Sequence, residues 1–289
     1  MQTRTIGGAP VSEIGFGVMN LSLDDHGPDE DGVRVIHAAI DAGMTLLDTA
    51  DCYCVNDDDF HHNETLVGRA LRERPADRDR VFLATKAGYI RPEGRWIEDG
   101  DPERIRASAE ASLRALGVDR VDLLQLHTPD PRVPLARTME AFARLKDEGK
   151  ARMIGLSNVS LAELDEASKV VEVVSVQNEY SPYVLDPERN GILTACEQRG
   201  IAFLPYSPLG GRNKAQAVGT KGAFAAVAAR HGVSPQQVVL AWMLAKSPAI
   251  IPIPGSRRIE TARDSAAAAD LELTADEIVE LTASLGGGQ

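Results

Sequence analysis

The chain is poor in cysteine, has no excess of basic charge and no long apolar run, and each absence removes a class of protein. Three cysteines in 289 residues, an odd number, fit a reducing compartment better than a disulfide framework. The opening segment MQTRTIGGAP lacks the apolar centre of a secretion signal. No apolar run reaches the length that crosses a bilayer. A soluble, cytoplasmic protein is expected. Lys and Arg number 31 against 43 Asp and Glu, a net charge of −12, which argues against a nucleic-acid partner. An anionic ligand would need a local basic site set against that field.

What is present is a rhythm. Apolar residues make up 43% of the chain, ample for a core. After a short N-terminal β-hairpin, near-continuous apolar runs fall at 14–19, 45–49, 81–85, 121–127, 152–157, 173–179, 201–207 and 249–254. Such runs mark strands covered on both faces. Helical patterns alternate with them at 33–43, 64–73, 102–117, 138–149, 161–171, 191–200, 234–247 and 259–269. Several end on a glycine (Gly43, Gly117, Gly149, Gly200), the usual helix stop. Strand and helix alternating eight times predict a closed (β/α)8 TIM barrel, one α/β domain over 1–289. An open doubly wound sheet is the runner-up.

A barrel of this kind carries its chemistry where the strands end. The ends read Asp48, Lys86, His127, Ser157-Asn158, Gln177-Asn178, Tyr206-Ser207 and Gly255-Ser256-Arg257-Arg258. Singly each has a bland reading: a turn cap, a surface ion pair, a core histidine. Their agreement on one face is what gives them weight. The stretch LLDTADCYCVNDDDFHHNE (46–64) also invites a metal reading through Cys52, Cys54, His61 and His62. Cys52-x-Cys54 is tighter than zinc spacing, adjacent histidines hardly share an ion, and Cys196 is far along the chain. No metal is expected, and Asp57 to Asp59 read as a solvated loop.

The motifs LLDTADCY (46–53), HNETLVGRAL (62–71), ATKAG (84–88) and DLLQLHTPDP (122–131) resemble those of the aldo-keto reductases. So do GKARMIGLSN (149–158), VVSVQNEYSP (173–182), PYSPLGG (205–211) and IPIPGS (251–256). The resemblance covers nearly the whole chain. It implies NAD(P)H-dependent reduction of an aldehyde or ketone, with Asp48, Tyr53, Lys86 and His127 as the catalytic tetrad. Tyr53 would supply the proton that the developing alkoxide needs. Lys86 beside it would favour loss of the phenolic proton, and Asp48 would hold Lys86. His127 would orient the carbonyl oxygen.

The chain has no G-x-G-x-x-G, so the cofactor cannot be held as in a Rossmann sheet. Barrels instead hold phosphate at the loops after strands seven and eight. The first of these is Gly-rich and contains Ser207, Leu209, Gly210, Arg212, Lys214 and Lys221; the second carries Ser256, Arg257 and Arg258 before a helix N-terminus. The resemblance further implies that Ser157, Asn158 and Gln177 hold the nicotinamide amide and that Tyr206 stacks on its ring. Thr261, Asp264 and Ser265 stand where many relatives have Arg and a Glu-Asn pair, leaving Asp264 for the adenine and Arg257 or Arg258 for the 2′-phosphate. NADPH is favoured, with NADH possible. Asn20, Cys52, Cys54, Phe60 and Trp96 are expected to line the site of a small-molecule carbonyl: aromatic, pyridoxal-like or sugar-like. Nothing demands more than a monomer. A cofactor-binding regulatory subunit with vestigial reductase activity is the alternative class.

Overall fold

In a computed structural model, residues 1–23, 26–214 and 222–285 are described. The hairpin pairs β1 (Thr3–Ile6) with β2 (Ala9–Ser12), Thr3 opposite Ser12. The parallel strands follow as β3 (Phe16–Gly17), β4 (Leu46–Asp48) and β5 (Phe82–Ala87). Next comes a second small hairpin, β6 (Tyr89–Ile90) with β7 (Ile97–Glu98), in the loop after β5. β8 (Val121–Leu126), β9 (Ala151–Ser157), β10 (Val173–Gln177) and β11 (Ala202–Phe203) complete the set. The parallel sheet runs β3-β4-β5-β8-β9-β10-β11.

The eighth segment differs from expectation. Residues 249–254 lie where a strand belongs but form only isolated bridges, Phe203 to Ile250 on one side and Gly17 to Gly255 on the other. The reason is the alternation Ile-Pro-Ile-Pro. Ile251 and Ile253 donate to the carbonyls of Phe203 and Pro205, while Pro252 and Pro254 offer only carbonyls, to Gly15 and Gly17. Proline has no N–H to return on that side, so half of the ladder is missing. The barrel closes nonetheless. Gly17 is required there: a Cβ would stand 2.9 Å from the Ile253 carbonyl oxygen.

Side chains alternate between two cores. Leu46, Phe82, Leu123, Met153, Val174 and Ile251 fill the barrel interior, and Ile6 and Val11 of the hairpin plug its lower end. Leu47, Leu83, Leu124, Ile154 and Val176 point outward against the helices. Those helices are Asp29–Asp41, His62–Glu73, Pro102–Leu116 and Leu135–Asp147, then Leu161–Ala167, Ile192–Arg199, Pro235–Lys246 and Ile259–Ala267. Pro102–Leu116 shows the local logic. Asp101 accepts from Glu103 N and Arg104 N at 3.0 Å, Pro102 opens the first turn, and Gly117 ends it at φ 71°. Among the described residues, the helices Ala223–His231 and Ala275–Ser284 and three four-residue ones, Pro75–Arg78, Asp186–Arg189 and Gly211–Lys214, go beyond the expected eight. Among the described residues, no helix is long and apolar enough to cross a membrane.

Candidate active site

The strand ends converge. Lys86, fully buried on β5, has three N–H groups and three acceptors: Asp48 Oδ1 at 2.5 Å, the Thr49 carbonyl at 2.9 Å and the Tyr53 hydroxyl at 3.0 Å. A buried ammonium is tolerated only when paired and hydrogen-bonded in this way. Asp48 is matched on its other side, where Oδ2 accepts from Gln125 at 3.1 Å and Gln177 at 2.9 Å. The sequence reading does not single out Gln125, although an amide among the apolar residues Leu123, Leu124 and Leu126 of β8 is the signal that marks it. Tyr53 reaches Lys86 because the chain after β4 keeps pairing with β5. Thr49 N donates to the Ala84 carbonyl at 2.9 Å and Asp51 N to the Lys86 carbonyl at 3.2 Å before the turn at Tyr53.

Burial and, next, the Asp48 charge hold the Tyr53 phenol well above its ordinary pKa. These two raising effects, burial above all, outweigh the acidifying pull expected of Lys86. Tyr53 is therefore a neutral phenol whose oxygen accepts from Lys86, leaving its own O–H for another partner.

His127 follows β8. Burial and Lys86 hold its imidazole well below the usual histidine range, so the ring is neutral. Its Nδ1 lies 3.4 Å from Cys52 Sγ. Edge-on aromatic contacts surround it, with ring centroids at 5.5 Å (Tyr53), 4.8 Å (Tyr89) and 6.2 Å (Trp96). Trp96 is 42% exposed and carries the Arg91 guanidinium 4.0 Å over its ring. Met19, Phe60 and Tyr89 pack on Ala50, Cys52 and Tyr53. Asn20 lies against Gly255, where the barrel closes. The Cys54 thiol turns to the Cys52 carbonyl at 3.3 Å, and burial pushes it up to about 12.

The four groups behind the metal reading disperse. His61 Nδ1 meets Glu64 at 2.6 Å, while His62 meets Ser22 at 2.8 Å and Asp29 at 3.1 Å. Two other trios, His26-Asp59-His62 and Asp51-Cys52-His127, have donor atoms within 4.8 Å of one another.

Beyond His127 on the same rim stand Ser157 and Asn158, at the end of the neighbouring strand β9, and Tyr206. Asn158, at φ 57°, donates to the His127 carbonyl at 3.0 Å and to Ser157 Oγ at 3.1 Å, and accepts from the Tyr206 hydroxyl at 2.9 Å. Ser207, φ 48°, shares this left-handed backbone; such strain at two non-glycine residues clusters at functional sites. Leu209 and Gly210 follow, and a Cβ at Gly210 would meet the Tyr183 ring at 2.5 Å. Lys214 stacks on Tyr183; the Arg212 side chain and Lys221 lie outside the described residues. Ser256 Oγ accepts from Arg258 N at 2.9 Å, and Arg258 is the exposed N-cap of helix Ile259–Ala267, which no side chain caps. Arg257 turns elsewhere: Nε donates to the Asn20 carbonyl and Nη2 to the Leu23 carbonyl, both at 2.6 Å. Asp264 accepts from Ser234 at 2.7 Å and Gln237 at 2.6 Å, fastening the start of helix Pro235–Lys246.

A closed parallel barrel with a buried Lys, Asp and Tyr beside a neutral His at its C-terminal mouth defines a class of barrel oxidoreductases. A model of the "Aldo/keto reductase family" matches residues 13–285. Aldo-keto reductase str7 of Strobilurus tenacellus is 34% identical, covering 96% of this chain and 90% of that protein. Probable aldo-keto reductase 1 of Glycine max is 32% identical, over 95% and 85%. An aldo/keto reductase from Klebsiella pneumoniae, solved with NADP and acetate, superposes with a TM-score of 0.85 at 27% identity, covering 100% of this chain and 96% of that one. The chain belongs to the aldo/keto reductase family. It is an NAD(P)H-dependent oxidoreductase of small-molecule carbonyl compounds.

Proposed function

We propose that the protein reduces an aromatic aldehyde or ketone with NADPH, Tyr53 giving the proton to the carbonyl oxygen. The observation that carries this is the Lys86 hydrogen-bond set. Because the Tyr53 oxygen accepts from Lys86, its proton is directed away from that pair. His127, neutral, supplies a second donor beside it, and two donors on a developing alkoxide are what the reaction needs. Asp48 and Lys86 touch no substrate; they fix Tyr53. When bound, the nicotinamide supplies a hydride to the carbonyl carbon.

The residues present fit such a cofactor. The uncapped start of helix Ile259–Ala267, with Ser256 and exposed Arg258 beside it, suits a phosphate. Ser157 and Asn158 lie on the rim with Tyr206, whose ring offers a stacking face. The Klebsiella relative with NADP supports the same reading. An aromatic substrate follows from the walls, since Tyr89, Trp96 and Phe60 offer ring faces and edges. The test is turnover of NADPH, followed by its absorbance, against a panel of aromatic, sugar-like and aliphatic carbonyls, repeated with NADH. Rapid oxidation with aromatic carbonyls is expected. NADPH binding without turnover on any of them would instead make the protein a regulatory subunit.

A further inference from the structure

We infer that the Cys52 thiol sets the tautomer of His127, donating its S–H to Nδ1 so that the ring's single N–H sits at Nε2. This rests on the reading of His127 as a residue that meets the carbonyl oxygen, and it adds a positioning residue to it.

The contact is built on fixed parts. Cys52 is fully buried, and the Cys54 N–H and thiol both donate to its carbonyl, at 2.9 and 3.3 Å. His127 is held by its N–H to the Ala87 carbonyl at 2.9 Å and by Asn158 Nδ2 on its own carbonyl at 3.0 Å. These bonds anchor both backbones, with Sγ 3.4 Å from Nδ1. Among the described residues, Cys52 Sγ is the side-chain atom within hydrogen-bond reach of the ring.

The protons follow from chemistry. Burial and Lys86 keep the imidazole neutral, so it has one N–H and one lone pair. Burial and Asp51 raise the Cys52 thiol well above its ordinary value, so the sulfur keeps its proton. Along the Sγ–Nδ1 contact itself the proton has two places: S–H to Nδ1, or Nδ1–H to sulfur. A neutral imidazole nitrogen is a good acceptor and a neutral thiol sulfur a poor one, which favours the first.

The rival acceptor is Asp51. An oxygen of its carboxyl lies within 4.8 Å of both Sγ and the ring nitrogen. Its Oδ2 accepts from Ser108 and its buried Oδ1 has no well-aligned partner, but the Cys52 thiol lies close enough for a hydrogen bond to this carboxyl, one that raises the thiol and lowers the acid. Were the thiol to turn to Asp51, the ring would carry its proton on Nδ1 and present a lone pair at Nε2. A lone pair repels a carbonyl oxygen. The direction of one S–H thus decides whether His127 attracts substrate or rejects it.

The test is nitrogen NMR of the 15N-histidine-labelled enzyme, with the His127 signal assigned by its loss in His127→Gln. The wild-type ring should be the Nε2–H form, and Cys52→Ala should mix the two tautomers. Cys52→Ser, which keeps a donor, should restore Nε2–H at least in part. In kinetics Cys52→Ala should raise KM for the carbonyl roughly two- to tenfold, the size of one neutral hydrogen bond, with kcat less affected. Retained NADPH binding shows that a variant is folded. A wild-type ring protonated at Nδ1, or an unchanged tautomer in Cys52→Ala, overturns the inference. If His127→Gln turns over carbonyls like the wild type, the reading beneath it fails instead.

Discussion

Gln177 donates its side-chain amide to Asp48 Oδ2 at 2.9 Å, and Gln125 reaches the same oxygen at 3.1 Å. Two amides, from β8 and from β10 beyond β9, thus solvate the carboxylate that Lys86 pairs with. Asp48 has no water to replace them, being 2% exposed. Gln125→Leu should lower kcat roughly tenfold, the effect of one hydrogen bond to a buried charge, while the NADPH dissociation constant stays constant. Gln177→Leu should move both quantities if Gln177 also holds the nicotinamide. An unchanged kcat in Gln125→Leu would mean that Lys86 and Gln177 suffice to fix Asp48.

Tyr53→Phe keeps the ring contacts with Trp96 and His127 and deletes the proposed acid. Turnover should fall by roughly two to four orders of magnitude, with NADPH affinity little changed. A variant within a few-fold of the parent on a good substrate would end the assignment of Tyr53.

Parallel strands buried on both faces read as apolar runs, which is why the alternation, the hairpin and the polar strand ends are legible in the sequence. Partners are less so, because register decides them. Lys86 pairs with Gln125 across β5 and β8, and only that register sets the Gln125 amide under Asp48. The β6–β7 hairpin is two residues a side, too short for a period to show. Arg257 is bound to the carbonyls of Asn20 and Leu23, and a backbone acceptor leaves no mark in a sequence. The two prolines of the eighth strand were visible, but the ladder they abolish was not.

Asp51 gives a stability signature with a definite sign. Burial, then the Glu64 charge, push its carboxyl up to about 7, against about 4 in an unfolded chain. Between those values the folded protein keeps a proton that the unfolded chain has lost, so stability falls as pH rises. Asp51→Asn removes this slope. The stability of the variant relative to wild type should therefore grow by about 3 kcal/mol at most between pH 5 and pH 8. Denaturant unfolding at both pH values measures it. The opposite slope from His127, whose depressed value withdraws stability as pH falls below the ordinary histidine range, is common to both proteins and cancels. Parallel pH curves would show that Asp51 is ionised in the fold.

Trp96 is exposed yet packs its edge on Tyr89 and Tyr53, at 5.4 and 6.4 Å between centroids. If it is a substrate wall, Trp96→Ala should raise KM for aromatic aldehydes roughly two- to tenfold, in line with about 0.5–1.5 kcal/mol for an aromatic pair. KM for short aliphatic aldehydes should move less. Equal changes in both series would make Trp96 a loop-packing residue.

Arg257 and Arg258 are adjacent in sequence and separate in role. The Arg257 guanidinium spans two backbone carbonyls of the segment that follows β3, so it fastens that segment to the start of helix Ile259–Ala267. Arg258 is exposed at the N-cap of the same helix, where an anion is favoured by the uncapped N–H groups. NADPH exceeds NADH by one ribose phosphate. A charge-assisted hydrogen bond to that phosphate is worth roughly 1.5–3 kcal/mol, or about ten- to a hundredfold in affinity. Arg258→Ala should raise the NADPH dissociation constant by that factor and leave NADH near its starting value. Being exposed, the contact should weaken at high salt, so the difference between variant and parent should shrink there. Arg257→Ala should instead weaken both cofactors together and lower the melting temperature, because it unfastens the start of helix Ile259–Ala267, the proposed phosphate site, from the segment after β3. Fluorescence titration of the two variants with each cofactor separates the cases. Equal losses for NADPH and NADH in Arg258→Ala would move the 2′-phosphate contact to another residue.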